Sequence, residues 1–469
     1  MVFSRLFFIY LFFPICFLCY FATKKTSYRN AVLIVFSLLF YACGDISFLW
    51  LVVASALVNF VLGRGIDKFR DKAPAKAFLA LGLVLNLGTL VGFKYTGFFI
   101  ENLNNWFSLS IPVPDLPLPL GISFFTFRTV SYLIDCAWGK VKAERNFFTF
   151  LLYVSFFPIT ISGPIARYET MQADLHQRRV SADDLSIGFG RIAVGLSKKV
   201  ILADRLSGIV DQFLGNDFTT QTTLGVWYGV ILYALQMYFD FSGYSDMAIG
   251  LGLMFGFRFL ENFNYPYISK SITEFWRRWH ISLATWFKLY LYIPLGGNRK
   301  GAVRTYWNLF AVFLVTGIWH GAAWSYVAWG IWNGIFIVIE RFFGLDKDKN
   351  DRWYVSAAKH VYAFFAIVWG MIIFRAESLS YAYEYICRML HIDVTKHLPD
   401  YDYGVNNKFA IMLIVGLICA MPVCRNLIYI KYEHKVQRTL VNIWLFLLFF
   451  WSTISLAAST YNPFIYFRF

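Results

Sequence analysis

The chain carries little charge for its length: only 15% of its 469 residues are Asp, Glu, Lys or Arg. Soluble domains run near a quarter charged, because one core must be wrapped in a wetted surface. A single water-soluble globule is therefore excluded for most of this sequence. Acidic residues are the scarcer sign, 28 against 43 basic, leaving a formal net charge of +15. No internal repeat and no low-complexity linker interrupts the chain, so a single domain over residues 1–469 is expected. Cysteines number seven, an odd count. Cys16 and Cys19 have metal-like spacing but no second Cys or His pair, which leaves no metal constellation and reads as buried small hydrophobes. A cleavable signal peptide is also missing. Only Arg5 precedes the first apolar run and no small-residue cleavage site follows it, so that run reads as the first span.

What the chain has is apolar length. Hydrophobic residues make up 58% of it, with a mean hydropathy of +0.54. Uncharged or nearly uncharged runs recur at 6–22, 31–43, 46–62, 78–92, 118–127, 147–161, 222–239, 309–318, 325–339, 361–374, 409–424 and 440–461. A bilayer-crossing helix needs about 20 such residues, which predicts an all-α polytopic membrane protein with roughly ten to twelve transmembrane helices. Aromatics, 20% of the chain, suit interfacial belts and packing between helices. The positive charge then belongs to cytoplasmic loops rather than to nucleic-acid binding. Segments 23–30, 63–76, 139–145 and 425–438 are basic, whereas 101–117 has no Lys or Arg. This alternation puts the N-terminus and the tail 462–469 on the outer face.

The middle breaks the pattern. Lys270, Glu274, Arg277, Arg278 and His280 lie among aromatics in 269–286, which a lipid-exposed helix would not tolerate. Re-entrant or in-plane helices around a polar central cavity are expected there. Ionisable groups at membrane depth are functional-site candidates by default. His280 and His320 are the two histidines outside polar loops, and imidazole suits general-base chemistry near neutral pH. Gly317 and Gly321 flank His320 and leave room for a ligand or a backbone to approach. Asp240 and Asp246 are expected to pair with Arg277, Arg278 or a neighbouring basic residue, since buried charges need partners. Glu340 and Arg341 close an apolar run and read as interfacial.

Several long motifs in order carry a resemblance: PLGISFFTF at 119–127, SGPIARY at 162–168, YFDFSGYSDMAIGLG at 238–252, ENFNYPY at 261–267, EFWRRWHISL at 274–283, YIPLGGNR at 292–299 and WHG at 319–321. Over most of its length the sequence resembles the membrane-bound O-acyltransferases, in particular their bacterial alginate O-acetyltransferase type. The resemblance implies many spans around a thin waist, a tunnel, and acyl transfer centred on 235–335. His320 would be the active-site histidine and His280 the second polar residue, with Asp240, Asp246, Trp276, Arg277, Arg278, Asn308, Trp319 and Trp324 in support. Lys288 and Leu289 depart from the Arg-Asp usual in the family, and Asn333 stands where a third histidine is common. The C-terminal FIYFRF at 464–469 is similar to a terminal motif of extracellular acyl-transfer systems, in which Tyr466 would shuttle the acyl group. Alternatively, Tyr466 is an aromatic interface anchor.

The resemblance further implies acetyl-CoA as donor substrate, no bound cofactor and no metal. It also implies a polysaccharide acceptor and an SGNH-hydrolase-like periplasmic or extracellular partner, with the chain in the bacterial cytoplasmic membrane. D-alanyl transfer to teichoic acid and peptidoglycan O-acetylation remain alternatives within the same chemistry. A secondary transporter is the alternative outside it, but it usually shows related halves.

Overall fold

The computed structural model describes residues 2–215, 222–346, 351–390, 407–424 and 435–458, and these contain helices and no strand. The chain divides into two compact units, residues 1–193 with 244–261, and residues 194–243 with 262–469. The first contains α1 (Phe13–Phe21), α2 (Thr26–Asp45), α3 (Leu49–Lys68), α4 (Ala73–Phe107), α5 (Ile122–Ala137), α6 (Phe147–Ser155), α7 (Phe157–Thr160), α8 (Tyr168–His176) and most of α9 (Ala182–Ser197). The second contains α10 (Asp204–Phe213), the larger part of α11 (Thr223–Met254), α12 (Ile272–Arg278), α13 (Ile281–Phe287), α14 (Ala302–His320), α15 (Trp324–Phe343), α16 (Trp353–Arg375), α17 (Leu379–Met389), α18 (Asn407–Cys419) and α19 (Lys435–Ala458).

Among the described residues, α2, α3, α4, α16 and α19 are long and apolar enough to cross a membrane. Only 17% of the most apolar window of α4 is buried within the protein, and Val84 on it is 68% exposed. Such a face is stable only against lipid. The helices α14 and α15 are as long but carry buried Asn308 and His320, and Asn333 and Glu340, respectively.

Within the first unit, buried amides tie helices together without a hydrophobic drive between them. Asn59 of α3 and Asn86 of α4 exchange amide hydrogen bonds of 3.0 and 2.7 Å, and Thr129 of α5 donates to Asn86 Oδ1 at 2.9 Å. Such interhelical bonds contribute about 0.6–2 kcal/mol each in membranes. Arg128, one residue before, is turned into protein and donates to the Tyr153 carbonyl at 3.0 Å. Cys16 is fully buried, as a small hydrophobe would be.

In the second unit α14 and α15 pack backbone to backbone. A Cβ on Gly317 would come within 2.4 Å of the Tyr326 carbonyl, and one on Gly330 within 2.6 Å of the Phe313 carbonyl. A Cβ on Gly321 would lie 2.1 Å from the Tyr326 ring. The room that these glycines leave is thus taken by the neighbouring helix, not by a ligand. This crossing sets where His320, Trp329 and Asn333 project.

Candidate active site

The segment 269–286 folds as two seven-residue helices, α12 and α13, joined at His280. Ser271 caps α12, its Oγ accepting from the Glu274 amide at 3.0 Å, while Glu274 reaches back to the Lys270 amide at 2.9 Å. Ser271 is thus an N-cap, and Glu274 holds the amide one residue before it. The amides of Ile272 and Thr273 donate to the carboxylate of Glu340, which also accepts from the Thr273 hydroxyl (2.6 Å) and Tyr362 (3.1 Å). Glu340 is therefore fully buried and not interfacial as its position in sequence suggested. It satisfies donors that α12 leaves open and interacts favourably with the positive end of that helix.

The chain leaves α12 through an extended Trp279 and turns at His280, whose φ of 47° is unusual outside glycine. Segment 262–264 runs beside this turn, with the Asn264 amide bonded to the Arg278 carbonyl (2.9 Å) and the Ile281 amide to the Asn262 carbonyl (3.0 Å). Asn262 fixes the imidazole. Its Oδ1 accepts from the Ser282 amide at 3.2 Å and the Ser282 hydroxyl at 2.9 Å, and lies 3.1 Å from His280 Nδ1. A backbone amide can only donate, so the group facing it is the oxygen and His280 Nδ1 carries the proton. His280 Nε2 then holds the lone pair. It is buried and has no hydrogen-bond partner among the described residues.

Nε2 belongs to a chamber of about 50 Å³ whose lining includes Asp240, Trp276, His280, His320, Trp329 and Asn333. His320, the last residue of α14, is held by edge-to-face rings, Trp329 at 5.0 Å and Phe374 at 5.0 Å, with Trp319 at 4.9 Å on its other side. Phe241 stands edge-on to His280 at 4.8 Å. Trp276 donates from Nε1 to Asn333 Oδ1 at 3.0 Å. A second cavity of about 490 Å³ also has Trp276 and His280 in its lining, together with Arg277, Lys288, Tyr292 and Arg341.

The supporting residues divide. Asp240 and Trp276 line the chamber, and Trp319 packs against His320. Asp240 pairs with Lys199 at 2.8 Å, and Lys199 also reaches Asp204 at 2.6 Å. Asp246 belongs to the first unit and pairs with Arg191 at 2.7 Å, which also holds Glu261. Neither aspartate pairs with Arg277 or Arg278. Arg277 faces the larger cavity, and Arg278 bonds Glu274 at 2.9 Å and the Asn264 carbonyl at 3.1 Å. Asn308 pins the glycine loop through the Gly297 carbonyl at 2.9 Å, and Trp324 opens α15 half-exposed; neither lines the chamber. Tyr466 lies outside the described residues. Sequence reasoning missed Asn262, Lys199 and Trp329 as site groups. Asn262 stood inside the quoted ENFNYPY motif, but nothing in one sequence signalled its contact with His280.

His280 and His320 line one chamber on the all-α scaffold of a polytopic membrane protein. Residues 75–376 match the model of the MBOAT, membrane-bound O-acyltransferase family, and the chain belongs to that family and is an O-acyltransferase. It is 39% identical over 498 residues to the "Probable alginate O-acetylase" of Pseudomonas putida, covering 100% of both chains. Its identity to the protein of the same name from Pseudomonas aeruginosa is 43% over 390 residues, 82% of this chain and 74% of that one. To the peptidoglycan O-acetyltransferase of Helicobacter pylori it is 32% identical over 479 residues, 93% and 89% of the two chains.

Proposed function

We propose that the protein moves an acetyl group from cytoplasmic acetyl-CoA across the bacterial cytoplasmic membrane, for O-acetylation of an exported polysaccharide of the alginate kind. The observation that carries this reading is the chamber in which His280 Nε2, buried and without a hydrogen-bond partner among the described residues, shares its lining with His320. The adjoining cavity supports a phosphate-bearing donor, since Arg277 and Lys288 line it without an ion-pair partner among the described residues. Similarity to alginate O-acetylases supports acetyl and a glycan acceptor.

In this mechanism His320 is the general base. It takes the proton from an acceptor hydroxyl as that oxygen attacks the thioester carbonyl. The tetrahedral centre collapses, the C–S bond breaks, and the CoA thiolate recovers the proton from the His320 imidazolium. His280 Nε2 can only accept a hydrogen bond, and because the acceptor's single hydroxyl proton goes to His320, Nε2 orients the acceptor through a bridging water rather than through that hydroxyl; with its proton on Nδ1 it is not placed to polarise a carbonyl. The acceptor is the Tyr466 phenol or a nucleophile of an SGNH-hydrolase-like partner, which passes the group to the polysaccharide. A phenol with a pKa of about 10 needs the adjacent base to react.

The test is transfer of label from radiolabelled acetyl-CoA in inverted vesicles. Wild-type protein should retain label, and His320→Ala should lose it by about 10²–10⁴-fold while still inserting. Loss in Tyr466→Phe as well supports the tyrosine relay. Label that ignores Tyr466 leaves the acetyltransferase and removes the relay. Label indifferent to His320 sinks the mechanism.

A further inference from the structure

No acidic residue precedes Asp45 in the chain, whereas Lys24, Lys25 and Arg29 crowd the start of α2 in the first unit. That helix opens at Thr26 with no side chain capping it and no acid in its first turn. The amides of Thr26, Ser27 and Tyr28 have no acceptor among the described residues, so the positive end of α2 keeps its open donors. Arg29 is drawn in beside this end and is only 9% exposed. Its Nε donates to the Thr23 carbonyl at 2.9 Å, and Cζ lies 4.7 Å from the centre of the Tyr20 ring and 5.3 Å from that of Phe21. Its two terminal nitrogens have no hydrogen bond or ion pair among the described residues, and they are not sealed inside the protein. A second guanidinium, that of Arg178, lies 5.9 Å from the same Tyr20 ring. Its three nitrogens are already used, on the Tyr20 hydroxyl (3.2 Å), Asn30 Oδ1 (2.6 Å) and the Asp174 carbonyl (3.0 Å). The Asp174 carboxylate accepts from the Arg258 amide at 3.2 Å, not from Arg29. Two buried cations therefore share one ring, and Arg29 keeps donors to spare.

We infer that the start of α2 and the Arg29 guanidinium together bind the phosphate of an anionic phospholipid. Open helix-end amides beside an arginine with free donors are the chemistry that holds a phosphate. A lipid is the source because of where the site lies. The helix α2 is long and apolar enough to cross a membrane, so its basic start falls at head-group depth. Both helices that meet at this loop turn apolar residues outward at helical spacing, Ile15 and Leu18 on α1, and Tyr28, Val35 and Leu39 on α2. Acyl chains can lie along those faces while the phosphate meets Arg29. The lipid is anionic because Lys24 and Lys25 add charge of the same sign, and no acid of this loop or of the first turn of α2 is there to meet a choline or ethanolamine ammonium.

The test uses the full chain in a neutral detergent, titrated with phosphatidylglycerol or with phosphatidylcholine of the same acyl chains, and native mass spectrometry to follow the first lipid bound. Wild type should bind phosphatidylglycerol about tenfold more tightly than phosphatidylcholine. Arg29→Gln keeps the stem and a donor for the Thr23 carbonyl but removes the charge, and should weaken phosphatidylglycerol binding by about tenfold or more. Lys142→Gln, in a different basic loop, should leave it unchanged. If Arg29→Gln fails to fold, Lys24→Gln/Lys25→Gln decides the matter, since both side chains are exposed; about fivefold should be lost for each charge removed. Glycerol phosphate is the soluble arm, and it should displace the lipid only at about 10²-fold higher concentration or more, because it lacks the chains. Equal affinity for the two lipids, or an affinity for phosphatidylglycerol unmoved in the folded variants, overturns the site. Displacement by glycerol phosphate at the lipid's own concentration overturns the lipid as its ligand.

Discussion

His280 occupies a left-handed backbone conformation, and such strain costs about 1–3 kcal/mol when the surroundings impose it. Here the lacing of 262–264 against 278–281 and the Asn262 bond impose it. His280→Asn separates the ring's two jobs. Asn tolerates the same φ, and its amide can still donate to Asn262, but nothing replaces Nε2. Thermal stability in detergent should stay within about 1 kcal/mol of wild type, while acetyl transfer falls about 10²-fold or more. Asn262→Ala should do the reverse at the ring: Nε2 remains, but its tautomer and direction are freed. We expect kcat to fall about ten- to a hundredfold with KM for acetyl-CoA little changed. An equal rise in KM would mean that the whole cavity has collapsed instead.

At the scale of elements, the site depends on one helix crossing and one helix start. Gly317→Ala places a methyl 2.4 Å from the Tyr326 carbonyl, so α14 and α15 must separate. We expect destabilisation of about 1–3 kcal/mol, together with loss of transfer because His320 moves with α14; melting curves and vesicle assays on the same preparation check both. In the first unit, the loop between α5 and α6 is organised by Glu144. Burial alone would raise its pKa, but the Asn146 amide, the Tyr168 hydroxyl, the Arg145 amide and nearby His176 hold it below the usual carboxylate value. A carboxylate depressed in the folded state stabilises fully above its unfolded pKa of about 4.3 and loses that contribution as pH falls through the folded value. Wild-type melting temperature should therefore drop as pH falls below about 4.3, and Glu144→Gln should flatten that part of the curve.

For the molecule as a whole, charge and apolar length should govern placement in the bilayer. The basic segment 139–145 and the Lys- and Arg-free segment 101–117 should lie on opposite faces by the positive-inside rule. A protease site inserted after Lys142 should be cut only in inverted vesicles, and one inserted after Asp115 only in right-side-out ones. Cutting of each site only from the opposite side would reverse the topology and, with it, the side on which donor and acceptor meet the chamber; cutting of both from the same side would place the two segments on one face.

Membrane residence, helical class and the two histidines were legible in the sequence, because their physical signals are local. Apolar length reports a lipid environment residue by residue, and a histidine among tryptophans is conspicuous wherever it sits. What joined these parts was not local. Lys199 meets Asp240 across 41 positions, Glu340 meets Thr273 across 67, and Asn262 meets His280 across 18. Each is a polar group whose partner is chosen by which helix faces which, and separation along the chain does not decide it: Arg277 and Arg278 are about as far from Asp240 as Lys199 is, yet Lys199 makes the pair. The sequence alone determined that charge would be buried and that an imidazole would be near it. Only tertiary structure decided which ring nitrogen carries the proton and how small the space behind it is, because both follow from contacts that exist only after the helices pack.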